Sequence, residues 1–346
     1  VTDVVVVGGG PTGLAAALAA TRAGLSVEVL EPRQGTLDKA CGEGLMPAAV
    51  EALDRLGVRP ARSHRFEGVR YVDGDVSVDG RFPHGVGLGV RRTVLHDALR
   101  AAVDAAGVPV LPIRAGDVTQ DDAGATVGGR RGRYVIAADG LGSPIRRQLG
   151  LDLPPRRRSR LGLRRHYATR PWSPMVEVHW SDDAEAYVTP VDDGTVGVAI
   201  LFRGPPLPDA PDAEGRYDRL LDGFPALRER LTDPCSRVRG AGPFERRARA
   251  RVAGRVLLAG DAGGYLDPLT GEGIRLGVLS AEAAVAAIAQ DRPASYEWAW
   301  RRITLAPVAM TSLLLAVSGP RVLRRRLVPT LAWCPSLLGR VVGWLG

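Results

Sequence analysis

Residues 2–33, TDVVVVGGGPTGLAAALAATRAGLSVEVLEPR, change texture three times: a β-branched run, a glycine cluster, an alanine-rich stretch, and then the alternation of LSVEVLE. That order predicts strand, turn, helix and strand, with the first strand buried on both sides in a parallel sheet. The glycines fit G-x-G-x-x-G at Gly8, Gly10 and Gly13, with Pro11 and Thr12 between them. In this pattern Gly8 permits the tight turn, Gly10 lets the backbone approach a pyrophosphate, and Gly13 allows close helix-to-strand packing. The helix start then offers amide donors to phosphate. Glu31 closes the second strand where a carboxylate would meet ribose hydroxyls, and Pro32 and Arg33 follow it.

Further along, MPAAVEALDRLGV and RRTVLHDALRAAVDAAG carry helical periodicity, and GVRYVDGDVSVDGRFP between them reads as a hairpin. From about residue 160 to 202 four short β segments, LGLRRHYA, MVEVHW, EAYVTPV and TVGVAILF, suggest an antiparallel meander. GRVLLAGDAGGYLDP then restores the opening style, and GVLSAEAAVAAIAQ supplies a long helix. The expected architecture is α/β: a Rossmann-like nucleotide-binding domain, an inserted antiparallel β-sheet substrate domain, and a C-terminal helical tail. The first comprises residues 1–65, 85–150 and 252–300, the second 66–84 and 151–251, and the tail 301–346.

A chain of 346 residues with 45% hydrophobic content can bury a large core. Its formal charge of +8 invites a nucleic-acid reading, but the arginines are spread along the chain and aromatics make up only 5%. Nucleic-acid partners are therefore not expected, and cofactor phosphates or membrane surfaces account for the charge equally well. Cys41, Cys235 and Cys334 are odd in number and far apart, so neither a disulfide framework nor a metal site is expected, and a reducing cytoplasm fits. The opening residues show no signal-peptide pattern. The most apolar tail stretch, LAPVAMTSLLLAV, contains a proline and falls short of a membrane span. The tail's aliphatics, tryptophans and clustered arginines suit peripheral membrane contact or a greasy substrate entrance.

Four segments in order resemble one superfamily: residues 8–33, RRTVLHDAL at 91–99, VIAADGLGSPIRRQLG at 135–150, and GRVLLAGDAGGYLDPLTGEGI at 254–274. They are similar to FAD-dependent oxidoreductases of the aromatic hydroxylase (p-hydroxybenzoate hydroxylase-like) and geranylgeranyl reductase type. The resemblance implies an aspartate-glycine motif at Asp139 and Gly140 and a glycine-aspartate motif at Gly260 and Asp261, whose carboxylate holds the ribityl chain. It also implies Arg92 near the pyrophosphate and Arg33 near the adenosine end. Pro268, Gly271, Glu272 and Gly273 look like the turn that opens a helix toward the flavin ring, where amides stabilise negative charge. No second G-x-G-x-x-G follows a strand. The resemblance implies that the nucleotide-binding domain is of the glutathione reductase type and that NAD(P)H docks transiently as reductant.

The loop DKACGEGLMP at 38–47 carries the chain's only lysine. Met46 stands where disulfide reductases place their second cysteine, so a dithiol relay is excluded. Gly42 suits close backbone approach to the flavin, Lys39 offers a cation, and Cys41 is either a flavin-facing thiol, as the reductase branch implies, or an inert packing group. This loop and GDAGGYLDPLTGEGI resemble the reductase branch, whereas EAYVTPV keeps Tyr187 and Pro190 of that branch's substrate signature and lacks its Trp and Phe. The polar candidates on the β insertion are Arg165, His166, Glu177, His179 and Tyr187. The catalytic expectation rests on His179, Arg165, Tyr187 and Cys41, with His179 or His166 as the base that would activate a phenol. The favoured reading is an NAD(P)H- and O2-dependent monooxygenase acting on a hydrophobic aromatic or polyketide-like metabolite. Saturation of isoprenoid double bonds and a non-catalytic flavin sensor are the alternatives.

Overall fold

The computed structural model describes residues 2–156, 160–204 and 213–318, with two isolated positions beyond. Its first sheet runs, in spatial order, Val252–Ala253, Val256–Leu258, Arg130–Ala137, Thr2–Val7, Val27–Leu30, Val110–Leu111. The strands from Val256–Leu258 to Val110–Leu111 pair in parallel. The hairpin Val118–Asp121 and Gly124–Val127 joins antiparallel to Arg130–Ala137. Both faces of Thr2–Val7 are buried because side chains alternate. Val4 and Val6 pack beneath the helices Pro11–Arg22 and Gly273–Ala289, and Val5 and Val7 pack under the hairpin.

Glycine fixes this half of the molecule at two positions. Gly8 has φ +106°, and a side chain on Gly13 would stand 1.8 Å from the Gly8 carbonyl oxygen. The turn and the helix-to-strand packing therefore each exclude a Cβ, as the motif predicts.

The second sheet runs Arg239–Ala241, Arg160–Tyr167, Thr195–Arg203, Ala184–Asp192, Val176–Trp180, Gly68–Asp73, Val76–Arg81. The hairpin expected near residue 70 is thus its far edge. Three of the four central segments form a meander, but Arg160–Tyr167 pairs with Thr195–Arg203 and not with the next strand in the chain. Residues 168–175, carrying Pro171 and Pro174, are too long and too proline-rich for a tight turn, which frees the first strand to cross over. Val176–Trp180 meets Gly68–Asp73 in parallel, so the sheet is antiparallel except at that seam.

Leu151 and Ala248, expected in the substrate part, pack in the core beneath the first sheet. A helix, Ser295–Ser318, runs straight through the expected boundary at 300/301. It continues past Pro307, so the expectation that this proline-bearing stretch falls short of a span is corrected: Ser295–Val317 is long and apolar enough to cross a membrane by length and composition. Pro307 costs one helical hydrogen bond without ending the helix. The further tail helices, and Cys334, lie outside the described residues.

Candidate active site

Between the two sheets lies a cavity of ≈260 Å³. Strand alternation decides what reaches it. Cross-strand partners share a face, and the pairs Val69–Val176, Tyr71–Val178, Tyr187–Ala199, Leu201–Gly162 and Gly162–Ala241 all point into the cavity. The opposite face carries Leu161, Leu163, Val188, Val198 and Ile200 beneath the helices Ala213–Leu221 and Pro225–Arg230.

Two catalytic expectations are corrected on this ground. Arg165 sits on the outer face, ion-paired with Glu214 and, at 2.9 Å, with Asp218. His179 is outside as well, bonded to Glu177 at 2.9 Å. Neither lines the cavity, whereas Tyr187 and Cys41 do. Burial pushes the Cys41 thiol up, with the Glu43 charge adding to it, so Cys41 is a proton-bearing thiol and not a thiolate.

Of the expected cofactor residues, Gly10, Pro11, Thr12, Lys39, Cys41, Gly42, Arg92, Gly140, Asp261, Pro268, Gly271 and Gly273 line the cavity. Others support it from behind. Gly8 and Gly13 shape the turn, and Gly260 packs on Thr12 so closely that a Cβ would come within 2.5 Å of its hydroxyl. Asp139 caps the short helix Pro144–Gln148 by accepting from the Ile145 N–H at 3.2 Å. Glu272 holds Arg275 at 2.5 Å.

Glu31 departs most from expectation. One carboxylate oxygen accepts from Arg33 N and Nε, and the other from Gly9 N and Arg33 Nη2, at 2.8 to 3.0 Å. Burial raises its pKa, but these donors outweigh burial and hold it below the ordinary value. Its lone pairs are filled, so a ribose reaches it only as the half-exposed Arg33 swings aside.

The cavity wall fits a nucleotide cofactor. No atom lies within 4 Å of where a side chain on Gly10 or Gly42 would project, leaving the backbone open to a close ligand. The Arg92 guanidinium has a buried Nη1 without a partner among the described residues. Burial, together with Arg33 and Arg92, lowers the Lys39 pKa. These cations suit a pyrophosphate, and the Asp261 carboxylate suits ribityl hydroxyls.

Burial pushes the Asp261 pKa up to about 6, against the pull of Lys39, Arg92 and Arg146. Its ordinary value is 3.8, so the unfolded chain gives up this proton first and stability falls as pH rises from about 4 to 6. Asp261→Asn removes that slope. The apo-protein is expected to gain up to about 3 kcal/mol above pH 6 and little near pH 4, read by urea unfolding at both pH values.

Sequence reasoning missed the clamp behind the loop. Glu43 is 3% exposed and holds a left-handed φ of 60°, which is costly for a non-glycine residue. Its carboxylate accepts from the backbone N–H of Arg92 at 2.8 Å and meets His166 Nε2 at 2.7 Å. Its own N–H points to Cys41 Sγ at 3.4 Å. Arg164 Nη1 lies 3.0 Å from His166 Nδ1, and a guanidinium can only donate, so Nε2 carries the imidazole proton and gives it to Glu43. Gly197 leaves room for this contact, because a methyl there would stand 2.7 Å from Glu43 Oε2. Also missed was a buried ion cluster: Arg160 bonds Glu185 at 2.7 Å and Asp267 at 2.5 Å, and the Tyr187 hydroxyl donates to Glu185 at 3.0 Å.

A parallel sheet with a glycine-rich turn, cations at its mouth and an apolar roof from a second sheet defines a flavin-dependent oxidoreductase. The chain belongs to the family described as FAD binding domain, whose model matches residues 1–77 and 114–291. A menaquinone reductase of Mycolicibacterium smegmatis is 28% identical over 95% of this chain and 90% of its own. A para-nitrophenol 4-monooxygenase of a Pseudomonas species is 31% identical over 81% of this chain and 75% of its own. A flavoprotein/dehydrogenase from Cytophaga hutchinsonii shares the fold, with a TM-score of 0.82 at 21% identity, covering 99% of this chain and 92% of that one.

Proposed function

We propose that this protein reduces a carbon–carbon double bond in a lipophilic, isoprenoid-type substrate, with NAD(P)H as the source of electrons. The observation that carries the reading is the roof of the cavity: Val69, Val176, Val178 and Leu201 on the inner sheet face, with Phe244 beside it, line the cavity, and among the described residues no histidine does. His179 and His166, the bases a phenol hydroxylase would have drawn on, are engaged elsewhere with Glu177 and Glu43. A largely apolar roof without a histidine suits a hydrocarbon chain, whose binding rests on area removed from water. Similarity to a menaquinone reductase supports the same direction.

When bound, FAD would relay a hydride from NAD(P)H to one alkene carbon. Arg92, Lys39 and Asp261 would hold the cofactor, and the apolar face would exclude water. The second alkene carbon takes a proton from a group at the wall, for which Cys41 is the candidate: it bears its proton, lines the cavity and is fixed by the Glu43 N–H.

Hydroxylation is the second reading. It is favoured by Tyr187, whose hydroxyl donates to Glu185 and so keeps lone pairs free to accept from a substrate phenol. Product mass after incubation with NAD(P)H and prenyl or phenolic lipids decides between them. Two added hydrogens are expected, and one added oxygen would transfer the assignment to hydroxylation. Cys41→Ser is expected to slow reduction about 100-fold, in the range of general acid catalysis, while FAD binding is retained. Unchanged turnover would remove Cys41 from the mechanism.

A further inference from the structure

The helix Ser295–Ser318 has two unlike faces. Tyr296, Trp300 and Thr311 are buried against the body of the protein. On the other side Trp298 is 63%, Leu305 73% and Leu313 59% exposed. At roughly 100° per residue, Trp298, Leu305, Ala309 and Ala316 fall within about 40° of one another, opposite the buried side chains. Val308, Leu313, Arg301 and Arg302 flank them and widen the face to about 140°. Ala309 and Ala316 are exposed as well, so the apolar stripe runs from Leu305 to Ala316, with the exposed Arg301 and Arg302 between it and Trp298. Scattered single apolar residues are normal on a surface, whereas a stripe along one helix marks an interaction site.

Charge selects the occupant. Arg301 and Arg302 stand at the N-terminal end of the stripe, with Arg302 stacked 4.6 Å over the Trp298 ring. The helix's one acid, Glu297, is turned inward to Arg251. The sequence that follows the helix, PRVLRRR at 320–326, is basic again. A second copy of the chain would bring arginines against arginines, whereas anionic lipid headgroups complement them. Since one face of the helix packs on protein, the geometry is that of a helix lying in the bilayer surface and not crossing it.

We propose that this face docks the protein on a bilayer containing anionic lipid. The helix is also tied to the cavity: the Thr311 hydroxyl, on its inner side, lies 3.1 Å from that of Thr270, which lines the cavity wall. Docking thus sets the cavity beside the lipid phase from which a lipophilic substrate is drawn. That last step rests on the functional reading above, whereas docking itself does not.

The test uses the FAD-loaded full chain, sedimented with vesicles of phosphatidylcholine alone or mixed with phosphatidylglycerol. Binding is expected to be about tenfold tighter to the anionic vesicles and to weaken with salt. The double substitution Leu305→Gln and Leu313→Gln should abolish it while the bound-flavin absorbance, a report on folding, stays unchanged. Absence of sedimentation with either vesicle overturns the proposal. So does a double variant that sediments like the wild type, or one that turns a lipid-free dimer into a monomer, which would assign the stripe to a second copy. No outcome depends on turnover, so failure of the reductase reading and failure of docking are read separately.

Discussion

Glu43→Ala is expected to lower stability by about 3–5 kcal/mol, the range for breaking a buried charged network by removing one member. The carboxylate joins three elements that are distant in sequence: its own loop, the start of the helix Arg92–Ala105, and the strand Arg160–Tyr167. Truncation leaves the Arg92 N–H and the His166 Nε2–H without acceptors in a buried site, and it strips Arg164 of a carboxylate 3.9 Å away. The residue also stays in a left-handed conformation that is costly for a non-glycine side chain. Urea unfolding measures the loss, and FAD titration should show weaker binding, since the clamp positions both Arg92 and the Cys41–Gly42 backbone at the cavity. Glu43→Gln is expected to cost less, about 1–2 kcal/mol, because its amide oxygen still serves one of the two donors. If Glu43→Ala unfolds at the same urea concentration as the wild type, the clamp is not a structural element.

What could be read in the sequence follows from how local each constraint is. Gly13 is demanded by the Gly8 carbonyl five residues back and Gly8 by its own φ of +106°, so their spacing announced the turn, the helix and the parallel sheet together, although a Cβ on Gly8 would also meet the distant Ala138 carbonyl oxygen at 2.4 Å. The lining of the cavity on this side was legible for the same reason: Gly10, Arg92, Asp261 and Gly271 each sit in a short motif at a strand or helix end. The substrate wall was not, because a strand's period fixes two faces without saying which one turns inward. Arg165 and His166 are neighbours, yet one faces the outer helices and the other meets Glu43. Only the register with Thr195–Arg203 and the position of the first sheet decide between them. Glu43 itself reads as an ordinary acid in a glycine loop, since its partners lie 49 and 123 residues away. In the tail, Pro307 counted against a long apolar span on local grounds, and burial of Tyr296, Trp300 and Thr311 on one side accompanies a helix that runs past it.

The buried ion cluster yields the second large effect. Arg160→Met is expected to cost about 3–5 kcal/mol at neutral pH, because it leaves Glu185 and Asp267, each with a buried side chain, facing one another without a cation. The sign of its pH dependence follows from that repulsion. Two uncompensated carboxylates in a buried site carry a penalty that is present while both are charged and fades as acid neutralises them. The variant should therefore lie closest to the wild type near pH 5 and furthest from it near pH 8, as read from urea midpoints; a pH-independent gap would mean that packing and not charge is at stake. Adding Glu185→Gln should recover part of the loss, because it removes one of the stranded charges. The cavity responds as well: Asp267 accepts from the Leu269 N–H at 3.0 Å in the turn that lines it, and Glu185 orients Tyr187 at its wall. Arg160 is thus the cation through which the second sheet and the turn preceding the helix Gly273–Ala289 are held at one spacing, and its loss should loosen substrate binding more than FAD binding, for which Arg92, Lys39 and the glycine loop are the proposed contacts.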